Sequence, residues 1–241
     1  MPEALPILLF AVIAVVFVIV AIYSHKQQQA RREALASLAA ELGWSFDPGK
    51  DTTHDDLYAQ FEVFRRGHSR AAYNTLRGSL TIDGRAYPAQ TGDFIYKVTT
   101  SNGKSTSTTT YRFSYLILHL PFALVPQLLI RPENLLDKLA GAVGFDDIDF
   151  ESAEFSRRFF VKASDKRFAY DVVHPRMMEF LMRLPAAPVI DIERGACCLT
   201  DGRTSWTPET FRWHQGFAAQ FFDLWPDHLT ADLDARGAAL P

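Results

Sequence analysis

Leu5 to Tyr23 reads LPILLFAVIAVVFVIVAIY, nineteen residues without one charge. As a helix rising about 1.5 Å per residue, it covers roughly 28 Å, close to the hydrocarbon thickness of a bilayer. Such a run is either a cleaved leader or a permanent anchor. A leader has a basic n-region, a shorter apolar stretch and a small-residue cleavage site. Here Met1 to Ala4 hold one acid and no base, and Ile22-Tyr23-Ser24-His25-Lys26 stands where a cleavage site belongs. The sequence therefore predicts a transmembrane anchor over residues 1–24, with residues 5–23 in contact with the lipid bilayer.

Flanking charge sets the orientation. Lys26, Arg31 and Arg32 follow the run and no base precedes it. The positive-inside rule then puts the N-terminus outside and the C-terminal domain in the cytoplasm. Topology alone accounts for these three bases. Their second reading is attraction to anionic lipid, at about 1 kcal/mol each.

Beyond residue 32 the chain carries 22 basic and 27 acidic residues. That balance argues against a nucleic-acid binder, which needs a basic face. The two cysteines, Cys197 and Cys198, are adjacent. On a strand they point to opposite faces, so neither a mutual bridge nor a structural zinc site is expected. Reduced thiols fit a cytoplasmic domain.

Residues 25–43 read as a juxtamembrane helix, with Leu35, Leu38, Ala39 and Leu42 on one stripe and Gly43 as its stop. The stripe has two uses, packing on the domain or pairing with a second copy. From Trp44 the pattern becomes β-prone. Phe61-Glu62-Val63-Phe64, Ala72 to Ile82, Arg85 to Thr100 and Ser105 to Leu120 are separated by turn signals that include Asp83-Gly84 and Asn102-Gly103, which predicts an antiparallel meander. The Ser/Thr tract 105–110 reads as exposed strand rather than a modification patch. A helix is expected from Pro132 through Leu139, strands over 147–151 and 156–163, a helix over 175–184, and a hairpin of 189–193 with 196–200. Thr207 as N-cap and Pro208 at N1 open a C-terminal amphipathic helix carrying Phe211, Phe217, Phe221, Phe222 and Trp225. The tail from Thr230 reads as loose. The predicted class is α+β, an N-terminal transmembrane helix followed by an antiparallel meander with packed helices. Residues 44–241 form the cytoplasmic domain, and a break near 121–132 would subdivide it.

Candidate chemistry is sparse. Gly67-His68-Ser69-Arg70-Ala71 has part of a nucleophile elbow, but an elbow needs a helix after the serine and this run continues as strand. Asp147, Asp149 and Glu151 share one strand face and read as a solvated edge rather than a cation site. His54-Asp55 is too short for a metal site, and His119 and His174 read as structural. Arg157, Arg158 and Lys162 read as partners for nearby acids, and Met177 as core. No catalytic, cofactor-binding or metal-ligating residue is assigned, and no cofactor is expected.

The arrangement Phe64-x-x-Gly67-His68-x-Arg70-x-x-x-Asn74-x-Leu76-x-Gly78, together with Pro132-Glu133, Asp147-Ile148-Asp149-Phe150 and Glu154-Phe155-Ser156-Arg157-Arg158-Phe159, resembles an uncharacterised bacterial family of membrane-anchored proteins, a domain of unknown function. The likeness covers roughly residues 40–225. It departs at Phe94-Ile95-Tyr96, where an Asp-Tyr-like pair belongs. It implies a bacterial inner-membrane setting and transfers no catalytic residue. The expected function is a single-pass, membrane-tethered cytoplasmic binding or adaptor domain, non-enzymatic, with a protein partner or self-association. The alternative is a membrane-anchored hydrolase-like enzyme with a non-standard site, built on Ser69 or the acids around Asp147.

Overall fold

The computed structural model describes residues 4–133, 148 and 150–238, with side chains described from residue 13. Helix α1 runs unbroken from Ala4 to Leu42. It ends as a glycine dictates: Gly43 takes φ +68°, its N–H donates to the Ala40 carbonyl, and the Trp44 N–H donates to that of Ala39. This pair of bonds closes the helix and turns the chain into the first strand. Along α1, Ile13 to Tyr23 are exposed, whereas Leu35, Leu38 and Ala39 are buried in the domain. The stripe over 35–42 therefore packs on the chain's own sheet. Among the described residues no helix is long and apolar enough to cross a membrane. Eight residues of the expected span, 5–12, have side chains outside the described set.

The strands are β1 (Ser45–Asp51), β2 (His68–Ile82), β3 (Arg85–Ser101), β4 (Thr106–His119), β5 (Leu128–Pro132), β6 (Phe159–Ala163), β7 (Val189–Glu193) and β8 (Ala196–Thr200). They form one eight-stranded sheet in the order β1-β2-β3-β4-β8-β7-β5-β6, with every described pairing antiparallel. The β2–β3 hairpin turns at Asp83-Gly84, both at positive φ. The β7–β8 hairpin turns in the same way at Arg194-Gly195. The stretch 121–132 does not divide the sheet, because β4 pairs with β8 across it.

Strand alternation sends two cores to opposite faces. Leu116, Leu118 and Cys197 pack under α1 and the later helices, while Tyr115, Ile117 and Cys198 pack on the other side. The two free thiols thus face apart, and burial pushes both pKa values up. The first face is covered by α1, α5 (Lys166–Val172), α6 (Pro175–Met182), α7 (Pro208–Asp223) and α8 (Asp227–Ala238). The second is covered near β2–β4 by two short helices, α2 (His54–Leu57) and α3 (Glu62–Arg65).

Five expectations need correction. The stretch 147–151 is not strand at its described residues: Ile148, Phe150 and Glu151 belong to the irregular segment that leads into the next helix. Phe61–Phe64 is not strand; Phe61 precedes α3 as its N-cap and Phe64 lies within that helix, and both bury their rings. Pro132 closes β5 opposite Phe159 instead of opening a helix, since proline is tolerated at a strand end. Residues 134–147, which hold the rest of that expected helix, lie outside the described residues, as does Asp149. Ser156 to Arg158 finish helix α4 (Ala153–Arg158), which Ser152 caps by accepting from the Phe155 N–H. The tail is not loose: α8 buries Leu229 and Leu233, and Asp234 takes a two-pronged bond from Arg85.

Candidate functional site

Where α1 meets the sheet, a charge is buried. Asp93, in the middle of β3, has 0% exposure. Its carboxylate accepts from Arg31 Nε at 2.8 Å and Nη2 at 2.5 Å, from Ser114 Oγ at 2.6 Å and from Asn74 Nδ2 at 3.0 Å. Arg31 also donates to the Trp206 carbonyl, and Ser114 Oγ accepts the Trp206 N–H. Burial pulls the Arg31 pKa down, but its bond to Asp93 and the carboxylate charge outweigh that and raise it. The local backbone is shaped for this. The β2–β3 ladder slips between Tyr73 and Leu76, Asn74 takes φ +51°, and a Cβ on Gly92 would meet the backbone of Asn74 and Thr75 at 3.1 Å. The bulge turns the Asn74 amide toward Asp93.

Beside this node lies a cleft of about 640 Å³ between α1 and the sheet. Ser24, Gln27, Gln28 and Arg31 line it from one face of α1, at the spacing i, i+3, i+4, i+7. Arg32, Lys50, Tyr73, Asn74 and Arg112 complete most of the wall, and no acid lines it. Burial first, then the Asp93 charge, pushes the Tyr73 hydroxyl up to about 12, so it stays a donor at neutral pH.

A second, smaller cleft of about 220 Å³ is acidic in part, with Glu62, Asp191 and Glu193 alongside Arg65 and Arg194. Burial, helped by the charges of Glu193 and Glu62, pushes Asp191 up to about 7.

The motif residues 64–78 have structural occupations. Phe64 is fully buried amid the rings of His54, Phe94, Phe113 and Tyr115. Gly67 takes φ +61°, and a Cβ there would lie 2.1 Å from the Lys97 carbonyl. Arg70 ion-pairs with Asp55 at 2.5 Å and donates to the carbonyls of Arg65 and Gly67. Leu76 is core, and Gly78 sits under the Trp44 indole, 2.3 Å from where a Cβ would stand.

The elbow does not form. Ser69 lies within β2, which runs on as strand, and its neighbour His68 contacts Thr99 through Nε2, with no carboxylate partner among the described residues. His54 is buried in an aromatic cage, where desolvation holds it down at about 4. His119 meets the Tyr58 hydroxyl and His174 the Leu224 carbonyl. Arg158 donates to the Met182 carbonyl rather than to an acid. Glu151 is exposed, whereas Asp147 and Asp149 lie outside the described residues. Among the described residues no group of three or more His, Cys, Asp or Glu is placed to hold a metal.

Sequence reasoning missed Asp93 and Asp191, placed Asn74 only within the family-like motif, and read Arg31 as a topology charge with attraction to lipid as its second reading. One signal was available: Asp93 is a lone acid in a strand that runs on into Phe94-Ile95-Tyr96 and is flanked on both sides by strand. An acid in such a place needs a cation from elsewhere.

No protein-family model matches the chain, and no curated protein matches it. Among solved structures, the chain is similar to the mycobacterial trehalose monomycolate transport factor A, TtfA. The identity is 15%, the TM-score 0.51, and the match covers 80% of this chain and 92% of that one. At that identity the likeness is one of fold.

Proposed function

We propose that this chain is a single-pass, membrane-tethered binding domain of a bacterial inner membrane, with its N-terminus outside and its sheet domain in the cytoplasm. The observation that carries the reading is α1 itself. Its side chains from Ile13 to Tyr23 are apolar and exposed, most of them by more than half, while the same helix continues into the domain core at Leu35 and Leu38. Exposed apolar surface on that scale calls for a cover. The uncharged run Leu5–Tyr23 and the bases after it supply the match to lipid. The resemblance to a membrane-anchored bacterial family agrees with the setting.

With the Arg31–Asp93 pair holding α1 against the sheet, the domain is carried close to the bilayer by a stiff helix. That suits a binding module or adaptor for a protein partner or a lipid headgroup. TtfA is a transport factor; the proposal takes from it a fold and no cargo. A hydrolase-like enzyme is the second reading, favoured by Asp191, whose raised pKa would let a carboxyl trade a proton near neutrality.

Alkaline carbonate extraction of membranes that contain the full chain tests the tether, and protease added to intact spheroplasts tests the orientation. The chain should stay in the pellet and the domain should survive the protease. Release into the supernatant overturns the anchor, and digestion of the domain overturns the cytoplasmic placement.

A further inference from the structure

The cleft between α1 and the sheet opens where the exposed apolar stretch ends. Its α1 wall, Ser24 to Arg31, starts one residue after Tyr23 and extends about 12 Å beyond it along the helix axis. The headgroup layer on each side of a bilayer is roughly 5–8 Å deep, so the mouth of the cleft falls at headgroup level when α1 is inserted. This argument rests on the tethered reading above.

The lining has the chemistry of an anion site. Arg31 is committed to Asp93, which leaves Arg32, Lys50 and Arg112 facing the cleft with no acid among its lining residues. Arg32 and Lys50 form no ion pair among the described residues. Three cations thus converge on a domain whose overall balance is acidic. A second observation points to a ligand with hydroxyls. Asn74 is 3% exposed and lines the cleft, yet its Oδ1 is buried without a hydrogen-bond partner. Its Nδ2 is fixed by donation to Asp93, so the amide cannot turn round to relieve that oxygen. A buried acceptor with no donor is costly and rare. Phosphate oxygens answer the guanidinium and ammonium groups, and a hydroxyl answers Asn74. The volume suits a small polar ligand.

We infer that this cleft binds the phosphate headgroup of an anionic, hydroxyl-bearing phospholipid, taken laterally from the leaflet in which α1 ends.

The test uses the full-length chain in uncharged detergent, titrated with phosphatidylglycerol or phosphatidylcholine and read by native mass spectrometry. Phosphatidylglycerol should be retained and phosphatidylcholine lost. Lys50→Gln with Arg112→Gln should weaken retention about thirty-fold, from the usual contribution of a basic residue near anionic lipid. Arg32→Gln with Lys50→Gln serves if the first pair fails to fold. Lys97→Gln with Lys104→Gln removes the same charge from exposed positions outside the cleft and should leave retention intact. Equal retention of the two lipids, or equal loss in the control pair, overturns the site. Phosphatidylglycerol, inorganic phosphate and glycerol phosphate are also compared by thermal unfolding; protection by either free phosphate equal to that by the lipid overturns the lipid as the source. A chain that withstands carbonate yet retains no phosphatidylglycerol sinks this inference alone, whereas a chain released by carbonate sinks the tether beneath it.

Discussion

Arg31 and Asp93, 62 residues apart, meet in a two-pronged ion pair that joins α1 to the centre of β3. The two ends of the pair are unequally buried: the Asp93 side chain is at 0% exposure and that of Arg31 at 27%. Asp93 therefore depends on its partner more than Arg31 does. Removing one member of a buried pair costs about 3–5 kcal/mol, because the other charge is left in a poor solvent. Arg31→Ala should lower the thermal midpoint by about 10 °C for a chain of this size. Arg32→Ala, one residue along and exposed, should stay within roughly 0.5 kcal/mol of the parent. Thermal and urea unfolding of both variants in the same detergent check this; equal midpoints would show that α1 is not held by the pair.

Gly67 and Gly84 both sit at positive φ, +61° and +69°, but differ in the space around them. A Cβ on Gly84 meets nothing within 4 Å, so Gly84→Ala should cost only the torsional strain, about 1–2 kcal/mol. At Gly67 the Lys97 backbone blocks the Cβ position, and β3 must move to admit it. Gly67→Ala should cost about 3 kcal/mol or more, the sum of strain and overpacking. Denaturant midpoints for the two alanine variants, measured side by side, separate the terms; similar losses would mean that β3 yields at Lys97.

These positions show what the sequence displays and what it hides. Gly43, Asp83-Gly84, Arg194-Gly195 and Thr207-Pro208 act locally, and local rules read the α1 stop, both hairpins and the α7 start. Sheet order is non-local: β8 and β7 insert between β4 and β5, so no neighbouring turn announces it. The same holds for the candidate cleft. Its walls come from α1, β1, β2, β3 and β4, and its key acceptor is an asparagine in a bulge. Arg32 was visible as a charge, but Lys50 and Arg112 become its neighbours only through strand pairing.

His54 and His214 give the fold an acid-side weakness. Desolvation holds both imidazoles down at about 4, and neither is more than 6% exposed. The unfolded chain takes those protons near pH 6.5, the native chain only near 4. Between these values the unfolded state binds more protons, so stability is full above about pH 6.5 and falls as pH drops toward 4. Each group contributes about 2 kcal/mol of that loss between pH 7 and pH 5. His54→Phe fills the ring cage with a group that does not titrate. It should shrink the difference in unfolding free energy between pH 7 and pH 5 by that amount, even if it lowers stability at both. An unchanged difference would mean that His54 is protonated in the native state.

The C-terminal helix offers the sharpest contrast between pattern and packing. From Thr230 on, the chain is rich in charge and alanine, with little apolar periodicity, so it reads as a tail. Its two leucines, Leu229 and Leu233, are one helical turn apart, and both are buried in the main core. Two anchors at that spacing fix a helix against a surface that α5 helps to form. Leu233 is 0% exposed, so Leu233→Ala should cost about 2–5 kcal/mol through lost transfer energy and a cavity. Asp234→Ala next to it severs the bond to Arg85 at an exposed site and should change little. If α8 is an integral part of the core, the leucine variant will shift the global unfolding midpoint, and hydrogen exchange across β2 and β3 will speed up with it. If α8 merely rests on the surface, exchange will rise within residues 227–238 alone and the midpoint will hold.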